Sequence, residues 1–212
     1  MTCIAGVIAD DNTVILSADS LASGGGFKHT VRTPKLIKYQ KNTLENGLVE
    51  LGIGYTTSFR FGDILRKSIE ISTFPNISKF DSVNERDERF DVIESFLIKE
   101  FVPVLQEKFS AGGYETTKDG QKQSGTMLIG IDGFIFEMQD DYSILCSTLP
   151  FFSVGSGHIS ALASMRTALM MAGDKVSKDL AKTIGVNAIS IASEFITSVG
   201  GPVNTIEVSP IK

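Results

Sequence analysis

Apolar residues in this chain are spaced first as in strands, then as in helices, and the alternation repeats before a last strand. That order demands layers, because a sheet face or a helix stripe is hidden only by packing against another element. Thr2 to Ala9 is rich in Ile, Val and Ala, Asp10-Asp11-Asn12 supplies turn chemistry, and Thr13 to Ala18 resumes a strand. Residues 2–18 therefore read as a β-hairpin buried on at least one side. Ser23-Gly24-Gly25-Gly26 reads as a flexible loop. Lys35 to Tyr39 alternates as a short strand, Asn46-Gly47 marks a hairpin turn, and Leu48 to Tyr55 continues as a strand. Its glycines, Gly52 and Gly54, mark a place where something approaches the backbone closely.

Phe59, Ile64, Leu65 and Ile69 then fit one face of a helix from Thr57 to Ile71, followed by a loop with Pro75 and Asn76. From Asn84 to Phe109 a second helical stripe runs through Ile93, Phe96, Leu97, Phe101, Val104 and Leu105, with a kink expected at Pro103. Gly112 to Gly125 reads as a polar loop. Thr126–Gly130 and Phe134–Met138 read as strands around the Asp132-Gly133 turn. Gly155-Ser156-Gly157 opens a helix with Ala161 to Met171, and a further helix runs from Ser177 to Thr197. Gly200-Gly201-Pro202 ends it before a strand from Val203 to Val208. No linker or repeat divides the sequence. The expectation is one α+β domain over 1–212, a four-layer αββα sandwich of two antiparallel sheets between helical layers.

Composition narrows the function. At 42% hydrophobic and 21% charged residues, the 212-residue chain can bury a core and is not a disordered segment. A net charge of −5 without a basic block argues against nucleic acid as partner. Two cysteines, Cys3 and Cys146, are too few for a disulfide framework or a four-Cys zinc site. Two histidines, His29 and His158, leave little material for a His-based metal site, so no metal is expected, and the N-terminal chemistry considered below needs no cofactor. No window approaches the roughly 18 apolar residues of a membrane-spanning helix. The start lacks a basic segment, and Asp10 and Asp11 interrupt it, unlike a signal peptide. The expected compartment is the cytoplasm, with no membrane partner.

Familiar catalytic motifs are missing. Gly155-Ser156-Gly157 has the wrong spacing for a nucleophile elbow, and no P-loop, H-E-x-x-H or C-x-x-C occurs. Gly52-Ile53-Gly54 is half a dinucleotide fingerprint within strand-like residues. Thr2 remains. Met1 before a small residue is the context in which an initiator methionine is removed, which leaves a threonine hydroxyl beside a free amine. An α-amine has a pKa of about 7.7–8.0 and can act as base for its own side chain near neutrality. On these residues alone, the favoured reading of Thr2 is an ordinary β-branched residue starting a strand.

Five features occur in order: T-C-I-A-G-V from Thr2, S-A-D-S around Asp19, Lys35, the Gly52-Ile53-Gly54 strand, and V-G-S-G at 154–157 leading into an alanine-rich helix. Together they resemble the proteasome β-subunit family of N-terminal nucleophile hydrolases, which includes bacterial HslV-type peptidases. G-Y-T-T-S-F-R-F-G-D-I-L from Gly54 and S-G-T-M-L-I-G from Ser124 look like segments of proteasome-type proteins of bacteria and phages. The likeness runs through nearly the whole chain.

The resemblance implies a threonine endopeptidase with Thr2 as nucleophile. Asp19 and Lys35 lie 16 positions apart, as the family's carboxylate and lysine do. Lys35 is then expected beside the threonine, aiding proton departure, with Asp19 holding it charged and oriented. Gly54 matches the glycine whose N–H faces the developing oxyanion. Ser156 matches the serine that hydrogen-bonds the terminal amine, a role compatible with capping a helix. An extended substrate is expected between the loop around Ser23 and the segment after Gly54, at Thr56. Cys3 reads as a small buried side chain and His158 as a surface residue. Met165, Leu169 and Met170 read as core or subunit contact. The family's aspartate and serine before the glycine pair appear here as Ile196 and Val199, with Thr197 or Ser198 as substitutes. The chain also begins with the strand rather than with an α-type subunit's extra helix. The expected partners are a peptide or unfolded-protein substrate, further copies in a homo-oligomeric ring, and an ATP-dependent unfoldase. Two alternatives use the same residues: a non-catalytic shell, and an amidase acting on a small molecule.

Overall fold

A computed structural model describes residues 2–24, 27–71, 73–77, 79–80, 85–118, 120–173 and 175–211. Met1 lies outside the described residues. A four-stranded antiparallel sheet has the order β12-β1-β2-β13, built from β1 (Cys3–Ile8), β2 (Val14–Ala18), β12 (Phe151–Gly155) and β13 (Asn204–Val208). A five-stranded antiparallel sheet has the order β11-β10-β9-β6-β5, from β5 (Leu36–Thr43), β6 (Gly47–Tyr55), β9 (Met127–Ile131), β10 (Phe134–Met138) and β11 (Ile144–Cys146). Two hairpins stand apart, β3 (Leu21–Gly24) with β4 (Phe27–Thr30), and β7 (Thr116–Lys118) with β8 (Gln121–Gln123).

Three apolar clusters organise these elements. Ile53 and Tyr55 of β6, Ile129 of β9 and Phe136 of β10 pack with Phe61 and Leu65 of α1 (Phe59–Ser68), Ile93 and Phe96 of α2 (Arg86–Phe96), and Leu105 and Phe109 of α3 (Val102–Ala111). Cys3, Ala5 and Val7 of β1 and Ile15 of β2 pack with Ala161, Met165 and Leu169 of α4 (His158–Ala172), and with Ile184, Ala188 and Ala192 of α5 (Lys178–Phe195). Ile4, Val14, Leu16, Leu36, Leu128, Ile135, Val154 and Val208, drawn from both sheets, form the third. Successive residues of β1 and β2 thus feed different clusters. That is the alternation of a strand buried on both faces.

Glycines set how closely the two sheets meet. A Cβ at Gly54 would collide with Ile4, one at Gly52 with Val208, and one at Gly130 with Val14. What approaches Gly52 and Gly54 is therefore the facing sheet.

Several boundaries differ from the sequence expectation. The helix expected from Thr57 starts at Phe59, because Thr57 is left-handed with φ 71° and Ser58 caps α1 through Arg60 N–H at 3.1 Å. Asn84 lies outside the described residues, and α2 is first described at Arg86. Around Pro103 the chain makes a π turn from Leu97 to Phe101, with Val102 N–H donating to the Leu97 carbonyl. Proline cannot donate to the carbonyl four residues back and its ring crowds it, so the widened turn accommodates the ring. The Asp132-Gly133 turn has φ 49° and 75°, as a two-residue primed turn requires. At the other hairpin, Thr43 pairs with Gly47, so Leu44, Glu45 and Asn46 form a three-residue loop and Gly47 carries the positive φ of 65°. Ser23 and Gly24, read as loop, belong to β3, and the polar stretch from Gly112 to Gly125 contains β7 with β8, while Gly25 and Gly26 lie outside the described residues. The last helix ends at Phe195 rather than Thr197, where Ile196 turns extended.

Among the described residues no helix is long and apolar enough to cross a membrane.

Candidate active site

Thr2 precedes β1, and the register that sets Cys3 opposite Gly155 brings it beside the Gly155-Ser156-Gly157 turn. It is 5% exposed. Ser156 Oγ donates to the Thr2 carbonyl at 3.2 Å and lies 3.1 Å from Ser198 Oγ. Gly155 adopts φ 95°, and a Cβ there would collide with the Thr2 carbonyl, so this close approach requires glycine.

Asp19 follows β2 with its side chain fully buried. Its Oδ1 accepts from Lys35 Nζ at 2.8 Å and from Cys3 N–H at 3.1 Å. Its Oδ2 accepts from Leu21 N–H and Gly200 N–H, each at 3.2 Å. Donors from four segments of the chain fix the carboxylate plane. Lys35, just ahead of β5, also donates to the Leu21 carbonyl at 2.8 Å. Burial pulls the Lys35 ammonium below its ordinary pKa, while the charge and hydrogen bond of Asp19 pull it the other way. A lysine so lowered gives up its proton more readily than an ordinary one.

Thr2 and Lys35 share a cleft of about 320 Å³ with Ser23, Tyr55, Thr56 and residues 57–59. Ser23 Oγ is buried and has no hydrogen-bond partner among the described residues. Thr56 Oγ1 donates to the Thr126 carbonyl at 3.0 Å and lies 3.1 Å from Thr57 Oγ1. Thr57 is β-branched and left-handed, a conformation whose strain is about 1–3 kcal/mol and clusters at functional sites.

The structure thus gathers Thr2, Asp19, Lys35, Ser156, Ser23 and Thr56. Gly54 is placed differently from its expected exposed amide. Thr56 N–H donates to the Thr126 carbonyl at 3.0 Å, and Gly54 pairs with Leu128 in the same ladder. The alternation of an antiparallel pair turns the Gly54 N–H toward Leu128, inside the sheet. Of the two substitutes considered near the chain's end, Ser198 reaches Ser156, while Ile196 and Val199 pack in the helical cluster. His158 is exposed, with Nδ1 at 2.7 Å from the Gly155 carbonyl. The Cys3 thiol is fully buried, and burial pushes its pKa up to about 12. It is no thiolate nucleophile at neutral pH. Met165 and Leu169 are core, whereas Met170 is exposed. Tyr55, Thr57, Ser58 and Phe59 line the cleft without a site role having been read for them, although the stretch beginning at Gly54 contains all four. Phe59, expected on the apolar helix face, is exposed instead.

Among the described residues, no group of three or more His, Cys, Asp or Glu side chains is placed to hold a metal ion.

No protein-family model matches the chain, and no curated protein does. Solved structures match over nearly its full length. BPH of Thiobacillus denitrificans is 19% identical, with a TM-score of 0.62 over 98% of this chain and 97% of its own. Eukaryotic HslV from Trypanosoma brucei is 15% identical, with a TM-score of 0.57 over 98% and 99%. Anbu, the ancestral beta-subunit, from Yersinia bercovieri is 13% identical, with a TM-score of 0.60 over 99% and 82%. The chain has the fold of these proteasome-like proteins, of the β-subunit and HslV type.

Proposed function

We propose that the protein is a threonine-type peptidase of the proteasome β-subunit kind, with Thr2 as nucleophile once Met1 is removed. The observation that carries this reading is the placement of Thr2 in one cleft with Lys35, whose buried ammonium is held by Asp19 at 2.8 Å. The Thr2 hydroxyl attacks the peptide carbonyl, and its proton passes by way of the terminal amine to the leaving nitrogen. Water then hydrolyses the ester and regenerates the threonine. Lys35 provides a nearby cation and a proton of lowered pKa, Asp19 orients it, and Ser156 holds the Thr2 backbone. Gly54 enters through the space it leaves for Ile4 beneath the site rather than through its own N–H. An extended substrate lies between Ser23, whose hydroxyl is unpartnered among the described residues, and Thr56. No cofactor takes part.

Three clusters that join helices to a sheet, sheet to sheet, and sheet to helices support a four-layer αββα order over a single domain, 1–212. BPH has been solved in complex with epoxomicin, and Anbu of Pseudomonas aeruginosa as a helical assembly. The Anbu assembly supports reading the protein as a homo-oligomer, and the sequence resemblance extends this to a cytoplasmic ring fed with unfolded protein by an ATP-dependent unfoldase. The test is hydrolysis of a mixture of unstructured peptides. Wild type should cleave, and Thr2→Ala should assemble identically and fail to cleave. Activity of Thr2→Ala within about threefold of wild type contradicts the mechanism, because losing a nucleophile removes far more.

A further inference from the structure

Tyr55 forms one wall of the cleft, yet its ring is locked from behind by helix α1. Gly62 leaves a notch in that helix, where a Cβ would collide with the Tyr55 ring and hydroxyl. One turn later Arg66 closes over the same ring. Its guanidinium sits 5.5 Å from the ring centroid, and Nη2 donates to Tyr55 Oη at 3.0 Å. Gly62 and Arg66 are four residues apart and so share one helix face.

The same guanidinium reaches past Tyr55 to the strand that carries Lys35. Arg66 Nη1 donates to the Pro34 carbonyl at 3.1 Å, and Tyr55 N–H donates to the Lys35 carbonyl at 3.1 Å. These two carbonyls belong to the peptide units on either side of the Lys35 Cα. With both planes tied, the backbone dihedrals of Lys35 are set, and so is the direction in which its side chain leaves for Asp19. Asp63 is an ion-pair neighbour of Arg66 at 3.7 Å and is exposed, so screening leaves that pair little weight beside the two carbonyl ties.

We infer that Arg66 is a positioning residue for Lys35, acting through the Tyr55 ring and the Pro34 carbonyl. Arginine suits the task because one planar fork reaches both acceptors, which lysine cannot do. The inference rests on the peptidase reading for its kinetic readout alone.

Two measurements on the intact assembly test it. The first is amide hydrogen exchange in the segment 53–57, which reports the Tyr55 N–H bond to Lys35. Arg66→Ala should speed it by at least about tenfold, and Tyr55→Phe, which keeps the ring but loses the hydroxyl, by less. The second is peptide hydrolysis. Arg66→Ala should lower kcat by at least about tenfold with KM within about twofold, since a misplaced catalytic group weakens the transition state more than substrate binding. Added ethylguanidinium should restore part of kcat, and Arg66→Lys should not. Should Arg66→Ala fail to fold, Tyr55→Phe and Arg66→Lys carry the same comparison. Wild-type exchange in every folded variant overturns the inference. So does faster exchange with unchanged kcat, which reduces Arg66 to a purely structural contact. If the wild type hydrolyses no peptide, the peptidase reading fails and the exchange measurement alone decides the positioning.

Discussion

Lys35 and Asp19 meet in a 2.8 Å ion pair in which the lysine side chain is 2% exposed and the aspartate 0%. Desolvating two charges is expensive, and such a pair is weak evidence of stability by itself. Its position explains it better. The ammonium lies in the same cleft as Thr2, and the carboxylate ties together β1, the Leu21 strand and the Gly200 loop.

Lys35→Ala is expected to lower turnover by at least about 10²-fold, the lower end for losing a proton-transfer aid. It also leaves Asp19 buried without its counter-charge, a loss of about 3–5 kcal/mol measurable by denaturant unfolding. Lys35→Arg should not restore activity, because the guanidinium is bulkier and does not release protons in this range. Near-normal rates in both variants would show the lysine to be a bystander.

Arg89 and Asp132 form a second buried pair, far from the proposed chemistry. Arg89 Nε donates to Asp132 Oδ2 at 2.9 Å and Nη2 to Oδ1 at 2.5 Å. The same two side chains hold the chain's end, through Ile211 N–H to Asp132 at 2.8 Å and Arg89 to the Ile211 carbonyl at 3.2 Å. Arg89→Ala should lower unfolding stability by about 3–5 kcal/mol, the scale for breaking a buried pair. Thr2 chemistry, where the protein remains folded, should persist. A loss below about 1 kcal/mol would assign the pair no structural role.

Ser17 is fully buried on β2, and its Oγ has no hydrogen-bond partner among the described residues. It faces α5 at Gly185, where a Cβ would come within 2.7 Å of that oxygen. Removing an orphaned hydroxyl recovers its desolvation penalty, so Ser17→Ala should stabilise the protein by about 1 kcal/mol. Calorimetry showing a lower Tm would mean that the hydroxyl has a partner after all.

Glu50 carries the pH dependence. Burial alone would raise its pKa, but the Lys38 ammonium at 2.6 Å, the Ser209 N–H at 2.7 Å and the Gln40 amide at 2.6 Å overcome it, and the value is lowered. A carboxyl lowered on folding stabilises the protein above its unfolded pKa, and that contribution disappears as pH falls through the folded value. Glu50→Gln should therefore be less stable than wild type near neutrality, by about 1–3 kcal/mol for hydrogen bonds to a charged group. The difference should close as pH falls through the folded value. A gap independent of pH would place the effect in packing instead.

The strand and helix periods of the sequence made the elements legible, because β1 and β2 are apolar runs buried on both faces and α1 to α5 each bury apolar residues. The Asp132-Gly133 turn was legible for the same kind of reason, since only particular residues tolerate its two positive φ values. The β3–β4 and β7–β8 hairpins were not, because hydrogen bonding rather than burial defines them and β4, β7 and β8 are largely exposed. At the site, the resemblance to the proteasome β-subunit family pointed to Asp19 and Lys35, which do pair. The close approach at Gly54 was legible, but a glycine in a strand does not say what approaches it; here it is Ile4, while the oxyanion role came from the family resemblance. Ser198 was one of two candidates, and a contact with Ser156, 42 positions away, selects it, while Arg66 depends on Pro34, 32 positions away, a contact that no local pattern encodes.

Thr2 as the reacting group is tested by the site of covalent capture. The protein, purified from a bacterial cytoplasm, is incubated with epoxomicin and examined by intact-mass and peptide-level mass spectrometry. An amide nitrogen lacks the basicity of a free amine, so only the chain without Met1 should react. One adduct per chain is expected, located on Thr2, absent from Thr2→Ala and from any chain that keeps a residue ahead of Thr2. An adduct on another residue, or peptide hydrolysis at full rate by chains that retain Met1, would contradict it.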